Sequence, residues 1–338
     1  MNNVTTLLEF LESSGSTVKI HDIGRRVCSI SRDDFLKFEK QQLAYPYPVQ
    51  QQAWFAISMT HEAVNKEAVI WFLRFPLDET GKLQAAGRDY FMHRLFEAAG
   101  AEHDALKDNP HVFKPREDIM AIYHARLSRQ LKKPPSKFYQ HASTYLQGDQ
   151  GWEQWNFVGF QGIADFVARL DENNNEALLA KAIPHLPVQP LEAVCQCLEN
   201  RDVSLALTEV LLARYQQESS INHPDSHVIA SLCRAVALSV SHNRKNDLLN
   251  MALSGPAKNS PDVLAAISAR NWEWLTTTEH AQVYLYQLAD CDQESFNQCL
   301  LDLLYMPGLR DTLLSVIRNP ERPNQLATRF GQMMQQIS

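Results

Sequence analysis

The stretch "GWEQWNFVGFQGIADF", residues 151–166, sets two tryptophans and three phenylalanines within sixteen positions. Its place in the chain decides the fold reading, because strand signals stop on its N-terminal side and amphipathic helices follow on its C-terminal side. Ile163, Phe166, Val167 and Leu170 continue it as the apolar stripe of a first helix. Trp152, Trp155, Phe157 and Phe160 are then expected to seal one unit against another, since aromatic rings bring large buried area with few rotatable bonds. A ligand pocket beside that seam is the alternative, because binding sites favour domain junctions.

Upstream, the periodicity is mixed. "TTLLEFLESSG" carries Leu7, Leu8 and Leu11 at helical spacing and stops at Gly15. "TVKIHDI" alternates, and a turn containing Gly24 leads to "VCSIS", which makes residues 17–31 a hairpin. Ser31 is placed to cap the helix that follows, with Asp33 and Asp34 at its positive end. "QQAWFAISM" and "EAVIWFLRF" read as a second hairpin, rich in aromatic and β-branched residues. A helix ending at Gly100 and another opening at Pro115 complete the half. The order ββαββα predicts an α+β domain with an antiparallel sheet over residues 1–148.

Downstream, residues 149–338 read as helices alone. Val203, Leu207, Val210 and Leu211 form one stripe, Phe296, Leu300, Leu303 and Leu304 another, and Ile229, Leu232, Val236 and Val240 a third. Short polar breaks such as "ENRD", "NHPD", "NSPD" and "DCDQE" separate them. Short helices joined by short turns predict an all-α, helical-repeat-like array of the HEAT or armadillo kind. Asp202, Asp225, Asp262 and Asp292 mark the breaks at uneven spacing, so an irregular bundle competes with a regular array.

A chain of 338 residues exceeds the size at which one core stops growing, which favours two units. The formal charge of −7 gives no overall pull toward nucleic acid or an anionic membrane. The longest uninterrupted apolar run, "AVIWFL", falls far short of the roughly 20 residues that span a bilayer. "MNNVTTLLEFLESSG" has neither a basic leader nor a long apolar core, so a cytoplasmic protein is expected. Six cysteines in such a chain are expected to be reduced and interior.

Motifs for chemistry come close and fail. "RFPLDETGKL" has Pro76 and Leu83 where a phosphate loop needs a glycine and a hydroxyl. "DENNNEALLAKA" lacks the turn glycine and bidentate glutamate of a calcium loop and reads as a helix N-terminus. "HEAVN" has Asn65 in place of the second zincin histidine, and Pro224 breaks the helix that would align His223 with His227. No catalytic residue, metal site or cofactor is therefore assigned. Residues 114–137 form the one local excess of basic charge. On a helix advancing about 100° per residue, Arg126, Arg129 and Lys133 fall within about 60°, with Lys132 beside them, enough to meet phosphates or an acidic partner. A basic end is also what a helix dipole favours unaided.

"LLEFLESSGSTVKIHDIGRRV", "YPYPVQQQAWFA", "FLRFPLDETGKLQAAGRDYF" and "GWEQWNFVGFQGIADF" together resemble a bacterial family known as a domain of unknown function. The resemblance covers most of the chain and implies a bacterial cytosolic protein that forms one family unit. It supplies no activity, cofactor or site residue. The functional expectation is a non-enzymatic interaction or adaptor protein with a protein partner. An enzyme or small-ligand-binding protein with a site at the domain junction is the first alternative, and a nucleic-acid adaptor using the basic patch is the second.

Overall fold

A computed structural model of the chain describes residues 6–61, 65–98 and 108–337. The expected helix stop at Gly100 and most of "HEAVN" lie outside the described residues. The chain divides into two compact units, Met1–Arg116 with Tyr305–Pro307 and Glu117–Leu304 with Gly308–Ser338.

The first unit runs α1 (Leu7–Ser13), β1 (Thr17–Asp22), β2 (Cys28–Ile30), α2 (Arg32–Glu39), β3 (Gln52–His61), β4 (Asn65–Pro76) and α3 (Ala85–Ala98). Both hairpins form where the alternation predicts them, and pairing of β1 with β3 joins them in an antiparallel sheet of order β2-β1-β3-β4. Ile20 lies opposite Ile57, and Ile57 opposite Trp71, which fixes the side of the sheet that faces the helices. Phe35 meets Phe55, Phe55 meets Phe75 and Phe75 meets Phe91 at centroid distances of 5.1, 5.3 and 6.1 Å. These edge contacts run from α2 across the sheet to α3 through the core. Ser31 caps α2 through the Asp34 N–H, as its position predicts.

Two buried carboxylates organise this unit. Asp22, at the end of β1, accepts the N–H groups of Gly24, Arg25 and Arg26 and the Tyr45 hydroxyl. Glu39, at the end of α2, accepts the Leu7 and Leu8 N–H groups at 2.7 and 3.0 Å. It thereby ties the start of α1 to the end of α2, on donors that a helix leaves unmatched.

The second unit runs α4 (Glu117–Gln130), α5 (Tyr139–Gln147), α6 (Phe160–Ala168), α7 (Asn175–Ala182), α8 (Val188–Leu198) and α9 (Leu205–Ser219). It continues as α10 (Ser226–Ala235), α11 (His242–Ser254), α12 (Pro261–Arg270), α13 (Thr278–Ala289), α14 (Gln293–Leu304), α15 (Arg310–Arg318) and α16 (Asn324–Ile337). Even-numbered helices pack on even-numbered ones from α4 to α16, and odd-numbered on odd-numbered from α5 to α15. The result is two rows, in which each helix packs on the helix two before it.

Side-chain hydrogen bonds link neighbours within each row. Asn175 donates to the Tyr139 hydroxyl, Arg169 to the Lys133 carbonyl, Thr312 to the Thr276 carbonyl and Gln293 to the Arg329 carbonyl, each pair 36 residues apart. Asp202, one of the expected break markers, stands before the odd-row helix α9, whereas Asp225, Asp262 and Asp292 stand at the starts of even-row helices. The even-row markers alone remain 37 and 30 residues apart, so the spacing is uneven within a row as well as between rows. The third predicted stripe overruns its helix, because α10 ends at Ala235 and Val240 lies 59 % exposed in the turn beyond it.

Candidate functional site

The aromatic stretch lies within the second unit. Residues Trp152–Phe157 form a 3-10 turn, opened by Gly151 at φ 82°. Trp152 stacks on His185 at 5.6 Å and meets Tyr145 edge-on at 5.9 Å, and its carbonyl accepts the Tyr145 hydroxyl at 2.9 Å. Trp155 and Phe160 are half-buried, and Phe157 is 80 % exposed. The stripe predicted to follow is buried throughout, at Ile163, Phe166, Val167 and Leu170.

The basic residues are partly engaged. Arg126 donates to the Asn200 carbonyl, and Arg129 pairs with Asp171 and lies 3.8 Å from Glu172. Helix α4 ends at Gln130 and Lys132 takes a positive φ of 54°, so Lys133 leaves the helical arc that would set it beside Arg126 and Arg129. Lys132 and Lys133 are exposed. None of the six cysteines forms a disulfide, and five are buried. Burial pushes the Cys233 thiol up to about 12, the state of an unreactive core residue.

A cleft of about 520 Å³ in the second unit brings together side chains that sequence reasoning did not single out. Its floor is the turn between α10 and α11. Val203 donates its N–H to the Leu238 carbonyl, Val240 donates to the Val203 carbonyl, and Thr208 and Ser239 share a hydroxyl hydrogen bond of 2.7 Å. These bonds hold the turn against the one before α9. One turn into α11, Lys245 is 6 % exposed and donates its ammonium to the Ala237 carbonyl at 2.7 Å.

The facing wall is the segment from Asn271 to Thr277. Asn271 is anchored by donating to the Cys233 carbonyl at 2.9 Å, and Thr277 caps α13 by accepting the His280 N–H. Trp274 stacks on His280 with ring centroids 4.0 Å apart and planes inclined by 14°. The His280 Nδ1 lies 3.0 Å from the Trp274 carbonyl, which can only accept, so Nδ1 carries the proton. In the neutral ring Nε2 then presents its lone pair. Asp202, Glu273 and His242 complete the polar lining, beside Ala237, Leu238 and Val240.

One sequence signal for this cleft exists. Lys245 precedes the buried Leu248, Leu249 and Ala252 by three, four and seven positions, so a charged residue occupies the apolar stripe of α11. Among the described residues, no cluster of three or more His, Cys, Asp or Glu is placed to hold a metal ion. Among them also, no helix is long and apolar enough to cross a membrane.

Fold and site together define an α+β protein in which a small antiparallel sheet precedes a long helical unit with an open cleft. The chain belongs to the family described as Protein of unknown function (DUF3549), whose model matches residues 2–334. Comparison with curated proteins and with solved structures returns no match.

Proposed function

We propose that the second unit is a helical-repeat array of the HEAT or armadillo kind and that the protein is a non-enzymatic interaction or adaptor protein of the bacterial cytoplasm. The observation that carries this reading is the two-row stacking of α4–α16, with side-chain hydrogen bonds between neighbours in each row. Arrays built this way expose long continuous surfaces while each pair needs only its neighbours for burial, which suits them to holding other macromolecules. The exposed Phe157 ring offers an apolar anchor on that surface.

The test is capture of partners from native lysate on the tagged chain, with and without nuclease, alongside a Phe157→Ser variant. A protein retained in near-equal amount after nuclease, and lost from the variant, supports the proposal. Nuclease-sensitive recovery transfers the function to Arg126, Arg129, Lys132 and Lys133. A clean preparation that turns over a small metabolite overturns the adaptor reading.

A further inference from the structure

The chain from Trp152 to Gly162 folds back beside α5. A Cβ on Gly148, at the end of α5, would stand 2.7 Å from the Trp152 ring, and one on Gly162 would stand 2.5 Å from the Phe138 carbonyl at the start of α5. Phe157 lies between those two points in the chain and is 80 % exposed, and Phe138 is 44 % exposed. Two rings open to water beside one short helix have the composition of a protein contact, where aromatic residues are enriched.

Charges of opposite sign flank these rings. Lys137 stands just before α5 with its Nζ 5.3 Å from the Phe138 ring centre, whereas Asp149 follows the Gly148 cap and Glu153 lies in the turn beyond. The two groups are thus held at opposite ends of a helix about 14 Å long. All three side chains are exposed. Among the described residues, Lys137 pairs with no acid, and Asp149 and Glu153 pair with no base. Lys137 sits at the positive end of the α5 dipole and Asp149 at the negative end, the reverse of what the dipole favours. Helix stability therefore does not account for their placement.

The two signs together select the occupant. A wholly acidic partner would be repelled by Asp149 and Glu153, and a wholly basic one by Lys137. A strip with an acidic end, an aromatic middle and a basic end matches itself when turned about a two-fold axis, because each basic end then meets the other acidic end. We propose that this strip is the contact between two copies of the chain, with Phe157 near the axis and Lys137 of each copy against Asp149 and Glu153 of the other. The proposal rests on the reading of Phe157 as an anchor and names a second copy as what it holds.

Sedimentation equilibrium of the purified full chain tests it. A reversible dimer is expected with a dissociation constant of about 10–100 µM, the range of a small contact. Phe157→Ser should weaken it at least about tenfold. Lys137→Glu and Glu153→Lys each set like charges against one another at both ends, and either alone should weaken the dimer about tenfold. Mixed in equal amounts, the two charge variants should form a heterodimer tighter than either homodimer, because opposite charges then meet at both ends. A chain that stays monomeric to about 500 µM overturns the proposal. So does a dimer unchanged by Phe157→Ser, or a pair of charge variants that associate no better mixed than apart. With no lysate present, such a failure leaves the adaptor reading standing with a foreign protein on Phe157. A dimer formed by a chain that captures no foreign protein leaves the self-contact standing alone.

Discussion

Asp165 and Arg169 lie one turn apart on α6 with side chains 2 % and 3 % exposed, and their charged atoms meet at 3.2 Å. The other Asp165 oxygen accepts the Ser136 N–H at 3.1 Å, and Arg169 reaches the Lys133 carbonyl, so the pair anchors the segment between α4 and α5 onto α6. Removing one partner strands a buried charge. Asp165→Ala should therefore lose about 3–5 kcal/mol in urea unfolding. Arg129, whose pair with Asp171 is exposed, should lose no more than about 1 kcal/mol as Arg129→Ala. Equal losses would show that the Asp165 cluster is not the anchor described.

Asp22 and Glu39 make a separate prediction at this scale. Burial raises both carboxyls to about 7, against the opposing pull of the backbone N–H groups that they accept. Unfolded carboxyls titrate near about 4, so between about pH 4 and about pH 7 the folded chain binds more protons than the unfolded one. Stability from these groups is greatest below that window and falls as pH rises through it. Asp292 has the opposite sign, because the Ser295 N–H and hydroxyl hold it below its usual value, and its contribution is lost only as pH falls below about 4. The melting temperature should thus be higher at about pH 5 than at about pH 8, and Glu39→Gln should shrink the difference. A melting temperature that rises with pH across this range would contradict the account.

Among the elements, α6 shows how close packing constrains the chain. A Cβ on Gly162 would stand 2.5 Å from the Phe138 carbonyl at the start of α5. Helix propensity alone favours Gly162→Ala by about 1 kcal/mol, whereas forcing two backbones apart costs about 1–3 kcal/mol. The collision is with backbone, so net destabilisation by urea titration is expected, and a stabilised variant would show that α6 shifts freely against α5.

The hairpins, the Ser31 cap and the α6 stripe were legible in the sequence, because each rests on local periodicity or on one side chain meeting a nearby N–H. The pairing of helices into rows was not, because the turns that open α11 and α13 carry no proline or Asp-Pro signal. The segments "LSVSH" and "NWEWLT" look apolar enough to continue a helix. Those same hidden turns carry the cleft. Lys245, Trp274 and His280 meet only after two pairs stack, so no spacing along the chain announces them.

Over the helical unit, Glu199 links three steps of one row. It follows α8 with its side chain 2 % exposed, accepts two hydrogen bonds from Arg234 of α10, and lies 2.9 Å from the Arg270 Nε at the end of α12. Glu199→Gln leaves two guanidinium groups facing a neutral amide, at a cost of about 3 kcal/mol. In a stacked array the loss should spread to neighbouring pairs. Hydrogen exchange is expected to quicken across α8, α10 and α12 together while the antiparallel sheet keeps its protection. Acceleration limited to α8 would mean that the three helices do not share the glutamate as described.

The two-row packing has a consequence for how such a chain can grow. Each helix packs on the one two before it, so a duplicated helix pair would find a helix of the matching row on both sides. An insertion of a single helix would swap the rows and expose the apolar stripes beyond it. Length variation among family members within this unit should therefore be quantised, arriving and departing as whole helical pairs, while the glutamate and the lysine that belong to particular steps travel with them.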